Sequence, residues 1–118
     1  WSSDVCSSDL ITYADNGLSL SLGYVPAGAV VLRGGVAVSV AFNGNSANTL
    51  NIGTAADTDG FATLLALGTI GVINTDEMAT SNDFGPYTVD TEIKCDVVST
   101  AAASAGAGRV WVEYIVVA

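Results

Sequence analysis

From Ile11 onward the chain alternates apolar and polar residues with a period of two, the mark of strands with one face in a core and one face outside it. Leu18, Leu20, Leu22 and Tyr24 fall on one side, with Ser19, Ser21 and Gly23 on the other. Val36, Val38, Val40 and Phe42 repeat the pattern against Ala37, Ser39 and Ala41. Val89, Thr91, Ile93, Cys95 and Val97 point one way, and Asp90, Glu92, Lys94 and Asp96 the other. The last run sets Val110, Val112, Tyr114 and Val116 against Arg109, Trp111, Glu113 and Ile115. A slip of one residue in the charged runs would bury their acids and bases, so the register is well specified. Shorter strand candidates lie at 49–53, 61–65 and 68–73. The stretch 60–67 (GFATLLAL) has the length of one or two helical turns, but glycine and β-branched neighbours leave no helix to be placed there.

Turn chemistry separates these runs at short intervals. Pro26-Ala-Gly28, Asn43-Gly-Asn45, Asp57-Thr-Asp-Gly60, Asn82-Asp-Phe-Gly-Pro86 and the segment 101–108 supply residues that accept positive φ or preset a turn. Short strands at regular spacing with glycine-rich turns predict an all-β protein. The expected architecture is an antiparallel β-sandwich of about seven to eight strands, the jelly roll being one such arrangement.

Composition narrows the function classes. A chain of 118 residues is the size of one domain. Half of it is hydrophobic and only 13% is charged, against about 25% in an average protein, which excludes an unfolded chain. Twelve acids against three bases give a net charge of −9, so no nucleic-acid partner is expected, since phosphate contacts need Lys and Arg. No apolar run reaches the ~18 residues of a membrane-spanning helix, and no membrane association is expected. The first ten residues have neither the basic start nor the apolar centre of a signal peptide. Val5-Cys-Ser-Ser-Asp-Leu10, preceded by another Ser-Ser-Asp, resembles a translated sequencing adapter. Residues 1–10 are therefore expected to be an artefactual or disordered segment, and 11–118 a single β-sandwich domain. Without Cys6, Cys95 stands alone and gives no sign of the redox compartment; nothing in the sequence supports a Cys6–Cys95 bridge.

The equipment of catalysis is sparse. With no histidine there is no Ser-His-Asp triad, no Cys-His pair and none of the commonest metal ligand, so no enzyme is expected and no catalytic residue is assigned. Gly34-Gly35 and Gly106-Ala-Gly108 fall in or before strands rather than ahead of a helix, so neither reads as a phosphate cradle. Asp57 and Asp59, two residues apart before Gly60, are the candidate metal ligands, for calcium. They lack the distal ligand of a complete calcium loop, and a turn held by Asp side chains accounts for them equally. Asp76, Glu77 and Asp83 form a second acidic stretch, a solvated loop or a carboxylate pair. Lys94, between acids, reads as a solvated ion-pair partner. The uncharged outer positions Ala37, Ser39 and Ala41, with Trp111 and Ile115 on the last strand, are the candidate partner-binding surface. Burial within the monomer and burial in an oligomer both account for such faces. Trp111 either anchors a partner or covers part of its own sandwich.

Three stretches carry a family likeness: Tyr24-Val-Pro-Ala-Gly-Ala-Val-Val31; Phe42-Asn43 through Thr49-Leu-Asn-Ile-Gly-Thr-Ala-Ala-Asp57 with Asp59-Gly-Phe61; and Gly106-Ala-Gly-Arg-Val-Trp-Val-Glu-Tyr114. In this order they resemble small β-rich virion proteins of tailed bacteriophages, over nearly all of residues 11–118. The resemblance implies a β-sandwich that decorates or cements the head, or contributes to a fibre or tail. It implies a homo-oligomer, often a trimer, with the major capsid protein or other virion proteins as partners, located in the virion after assembly in the host cytoplasm. It carries over no catalytic residues. The acidic surface would be repelled by packaged DNA, which places such a module outside the shell. The alternative is a receptor- or carbohydrate-binding fibre or tail module stabilised by calcium at Asp57 and Asp59.

Overall fold

The computed structural model describes residues 5–74 and 84–117, with side chains from residue 9 onward. Eight strands form: β1 (Val5–Thr12), β2 (Ser19–Val25), β3 (Ala29–Val40), β4 (Asn48–Gly53), β5 (Ala62–Ala66), β6 (Gly71–Asn74), β7 (Thr91–Ser99) and β8 (Ala107–Val116). A single 3₁₀ turn, Tyr13–Asp15, joins β1 to β2, and the Thr12 amide donates to Asp15 Oδ2 at 2.8 Å to start it. The strands make two four-stranded antiparallel sheets, in the order β1-β8-β3-β6 and β2-β7-β4-β5. The antiparallel β-sandwich read from the alternation is therefore the fold, and 60–67 contributes β5 rather than a helix.

The core lies between the sheets. Ala29, Val31, Val36, Val38, Val110 and Val112 enter it from the first sheet, and Leu50, Ile52, Ile93, Cys95 and Val97 from the second. Phe42, Phe61 and Leu67 close it from segments between strands, and the Phe61 ring meets Phe84 with centroids 5.6 Å apart. Strand β8 alternates as its sequence predicts, with Val110 and Val112 fully buried and Tyr114 and Val116 against the core.

Three positions depart from the simple alternation. β2 carries a bulge between Ser21 and Gly23, so Leu22 is an extra residue opposite Ile93 and Lys94. The bulge reverses parity: Val25 enters the core, and Tyr24, expected inward, stands outside at 66% exposure. Gly23 takes φ +112° there, and its amide donates to Ser21 Oγ at 3.1 Å. A second bulge, between Val38 and Val40 of β3, turns Val40 outward. Extra residues of this kind raise local twist and re-aim the side chains beyond them. Val89 precedes β7 instead of joining it and is exposed.

The domain boundary expected at Ile11 falls inside β1. Val5–Thr12 pair with Ala107–Tyr114 without a break in register. An edge ladder is made by backbone groups, so it forms with little demand on side-chain type.

One end of the sandwich is tied by side chains. Asn48 Oδ1 accepts from the Gly44 amide at 2.7 Å and from Ser99 Oγ at 2.9 Å, while its Nδ2 donates to the Gly44 carbonyl at 3.2 Å. Thr100 Oγ1 accepts from the amides of Ser46 and Ala47, and Asn43 Oδ1 from those of Ser104 and Ala105. With the backbone bonds Thr100 N to Ala47 O, Asn45 N to Ala101 O and Asn43 N to Ala105 O, they hold the 43–48 and 99–105 segments together beyond the end of the β4–β7 ladder.

Candidate functional site

Strand pairing decides which side chains share a surface. Residues directly opposite each other in an antiparallel ladder project from the same face. On β8, Arg109 opposes Ala37, Trp111 opposes Gly35, Glu113 opposes Arg33 and Ile115 opposes Val30. β6 extends two of these rows, with Val72 opposite Ala37 and Asn74 opposite Gly35. Because Val110 and Val112 point into the core, this set forms the outward face of the β1-β8-β3-β6 sheet. The two residues singled out for partner binding, Trp111 and Ile115, therefore stand on one surface two rows apart.

Trp111 is half-buried in the middle of that face. A side-chain carbon added at Gly35 would lie 3.1 Å from Trp111 Cζ2 and collide with the Ile73 carbonyl, so the indole lies over the glycine. An aromatic ring covering a cross-strand glycine replaces packing the glycine cannot provide. Of the two readings of Trp111, the geometry shows part of its surface covered by its own sheet and part facing outward.

The face is also distinct in charge. Arg33 Nη2 meets Glu113 Oε1 at 2.7 Å, and Arg109 is the second base on the same side. Among the described residues, two of the chain's three bases and one acid lie there. The outward face of the other sheet has Glu92, Lys94 and Asp96 of β7, with Ser19, Ser21 and Asn51 beside them. Lys94 Nζ is 3.9 Å from Glu92 Oε1, a loose contact between half-buried groups. The sandwich thus presents one apolar, acid-poor face and one polar face.

Asp57 and Asp59 lie in the turn between β4 and β5. The Asp57 carbonyl accepts from the Thr54 and Gly60 amides at 2.9 and 3.1 Å. Gly53 is required beside it, since a Cβ there would collide with Asp57 O and Thr58. Asp59 is exposed, and its Oδ2 accepts from Thr63 Oγ1 at 3.3 Å. Among the described residues no three His, Cys, Asp or Glu side chains gather where they could hold a metal ion. Asp76, Glu77 and Asp83 lie outside the described residues.

Cys95 is a free thiol buried in the core. Burial, then the carboxylates of Asp96, Asp9 and Asp15, push its pKa from 9.0 up to about 12, so it is an inert apolar filler at neutral pH. The signal missed at the level of sequence was the polar set Asn43, Asn48, Ser99 and Thr100, each of which has a partner about fifty or more residues away.

No protein-family model matches the chain, and no curated protein matches it. Solved structures do. A chain of the cyanophage Pam1 capsid asymmetric unit superposes with a TM-score of 0.71 at 20% identity, covering 98% of this chain and 86% of that one. A chain of the acid-stable capsid of Helicobacter pylori bacteriophage KHP30 gives 0.69 at 17% identity, covering 94% and 86%. A chain of the capsid of Ralstonia phage GP4 gives 0.69 at 16% identity, covering 99% and 85%. At such identities the likeness is one of fold.

Proposed function

We propose that this chain is a structural protein of a bacteriophage virion, and within it a decoration or cement subunit on the outside of the capsid shell. The observation that carries this reading is the match in extent. Three capsid chains align over nearly all of this chain and over 85–86% of their own length, so each is a small capsid chain little longer than this one. A small sandwich equivalent to a whole capsid chain fits an accessory subunit better than a part of a large shell protein. The strand pairs β1–β8, β2–β7, β3–β6 and β4–β5, divided between two sheets, support reading the sandwich as a jelly roll, a fold that recurs in viral capsids.

The chemistry agrees. Such a subunit acts by contact, through copies of itself and through shell proteins, and needs no catalytic group or cofactor. A chain at −9 is repelled by packaged DNA and suits the outer surface of particles assembled in the host cytoplasm. Trp111 and Ile115 are its proposed contact residues.

Quantitative mass spectrometry of purified particles of the encoding phage tests this. The expected result is a copy number comparable to that of the shell subunit. A few copies per particle would instead favour the receptor- or carbohydrate-binding fibre module, and melting the chain with and without millimolar calcium would then show whether Asp57 and Asp59 hold the ion. Absence from particles would overturn both readings.

A further inference from the structure

Asparagine is a thermolabile residue, and asparagine followed by glycine is among the least durable pairs in a protein at neutral pH. The glycine amide nitrogen, on losing its proton to base, attacks the asparagine Cγ; the side-chain amide leaves as ammonia and a succinimide ring closes. Water then opens the ring at either carbonyl, leaving aspartate or isoaspartate. The sequence contains two such pairs, Asn16-Gly17 and Asn43-Gly44. The fold needs both as they stand. Asn43 Oδ1 accepts from the Ser104 and Ala105 amides at 2.8 and 3.0 Å, and a Cβ at Gly44 would lie 2.6 Å from the Thr100 nitrogen. Asn16 Oδ1 accepts from the Ser99 amide at 2.8 Å, and Gly17 takes φ +80°. Neither pair can be exchanged for a more durable one without losing a bond or straining the backbone.

We propose that Asn43 is a latent site of this rearrangement and that Asn48, by holding the Gly44 amide, keeps it closed. Asn43 is exposed, so its protection comes from bonds and not from burial. The attacking atom is the one Asn48 holds: Gly44 N donates to Asn48 Oδ1 at 2.7 Å, which commits its proton to that oxygen and away from base in solution. The carbon under attack is held as well. Asn43 Oδ1 has its two amides and Nδ2 donates to Ser104 Oγ at 3.0 Å, so Cγ reaches Gly44 N only if those bonds break. At the other pair the same two atoms have different partners. Gly17 N donates to the Val97 carbonyl at 2.9 Å and Asn16 Oδ1 accepts from Ser99 N, so neither bond uses the Asn48 side chain. Loss of Asn48 therefore frees one attacking nitrogen and leaves the other bonded. The inference stands apart from the virion reading and adds to it only that a chain carried in a particle is not renewed by synthesis.

Peptide mapping by mass spectrometry during incubation of the full chain at 37 °C and pH 7.4 reads the outcome, with isoaspartate identified by fragmentation. The folded wild type is expected to keep both asparagines, and the guanidinium-unfolded chain to convert both at least ~10-fold faster. Asn48→Ala is expected to convert Asn43 roughly 10-fold faster than wild type, the change in local opening that one lost hydrogen bond brings, and to leave Asn16 at the wild-type rate. Ser99→Ala keeps the bond between Asn48 and Gly44 and is expected to leave Asn43 unchanged. Hydrogen exchange at the Gly44 amide is expected to be slow in wild type and roughly 10-fold faster in Asn48→Ala. Conversion of folded wild-type Asn43 at the unfolded rate overturns the proposal, as does an Asn43 rate indifferent to Asn48→Ala. Equal acceleration at Asn16 and Asn43 also overturns it, since that is the mark of global unfolding. Should Asn48→Ala fail to fold, wild type alone decides: a Gly44 amide that exchanges as fast as an unstructured one overturns the proposal.

Discussion

Asn48 is the residue whose removal should do the most damage for the least change in buried apolar area. Its side chain accepts from the Gly44 amide and from Ser99 Oγ and donates to the Gly44 carbonyl, at 2.7, 2.9 and 3.2 Å. Ser99 is 2% exposed, so its hydroxyl is poorly placed to find water when Asn48 is gone. Three bonds at a net ~0.5–1.5 kcal/mol each, with one buried hydroxyl stranded, put Asn48→Ala at about 2–4 kcal/mol. For a domain of this size that lowers Tm by about 8–15 °C. Asn48→Asp keeps one acceptor but sets a carboxylate oxygen against the Gly44 carbonyl where Nδ2 had donated, so it should not recover the stability lost in Asn48→Ala. Ser99→Ala removes one donor while Asn48 Oδ1 still serves Gly44, at about 1 kcal/mol.

Thermal and urea melts of the three single variants and the Asn48→Ala/Ser99→Ala pair give the cycle. The two residues share a bond, so their effects should couple by about 0.5–1.5 kcal/mol rather than add. An Asn48→Ala melt within 1–2 °C of wild type, or strict additivity, would refute the claim that this network fastens the 43–48 segment to the end of β7.

Two further expectations follow from the packing. Gly106 holds φ +149°, and a Cβ there would sit 2.6 Å from the Phe42 ring, so Gly106→Ala should cost roughly 3 kcal/mol in a urea melt; a loss under 1 kcal/mol would show that the ring has room to move. Cys95 should ignore a thiol reagent at pH 8 until the chain unfolds, and its protonation should make stability fall with alkaline pH. With the folded pKa about 12 and the ordinary value 9.0, the native state holds a proton that the unfolded chain has lost. Stability is thus full below about pH 9 and declines toward 12, by roughly 1 kcal/mol per pH unit. Cys95→Ala should remove that part of the slope, and an unchanged slope would count against it.

How much of this was legible in the residues depends on whether the information is local. The faces of β8 are readable because Val110, Val112, Tyr114 and Val116 alternate with Arg109, Trp111, Glu113 and Ile115 and no bulge interrupts the strand against β1. Tyr24 and Val40 are misplaced by the same rule because each follows an inserted residue, Leu22 or Ser39, that shifts the alternation at that point. The Gly after Leu22 was a hint of the first bulge, and nothing comparable marks the second. The polar fastening by Asn48 and Thr100 is invisible from sequence because the partners that join the two segments, Ser99 for Asn48 and the Ser46 and Ala47 amides for Thr100, lie about fifty residues away and its residue types occur in any turn. Alternation sorts one strand at a time into two faces but does not say which strands share a sheet. Only pairing shows that Arg33 and Arg109 come together with Trp111 while Glu92 and Asp96 lie on the other sheet. The division of a −9 chain into one acid-poor and one polar face is therefore a property of topology, written by which strand lies beside which. That division is what gives Trp111 and Ile115 a shared context that neither residue announces alone.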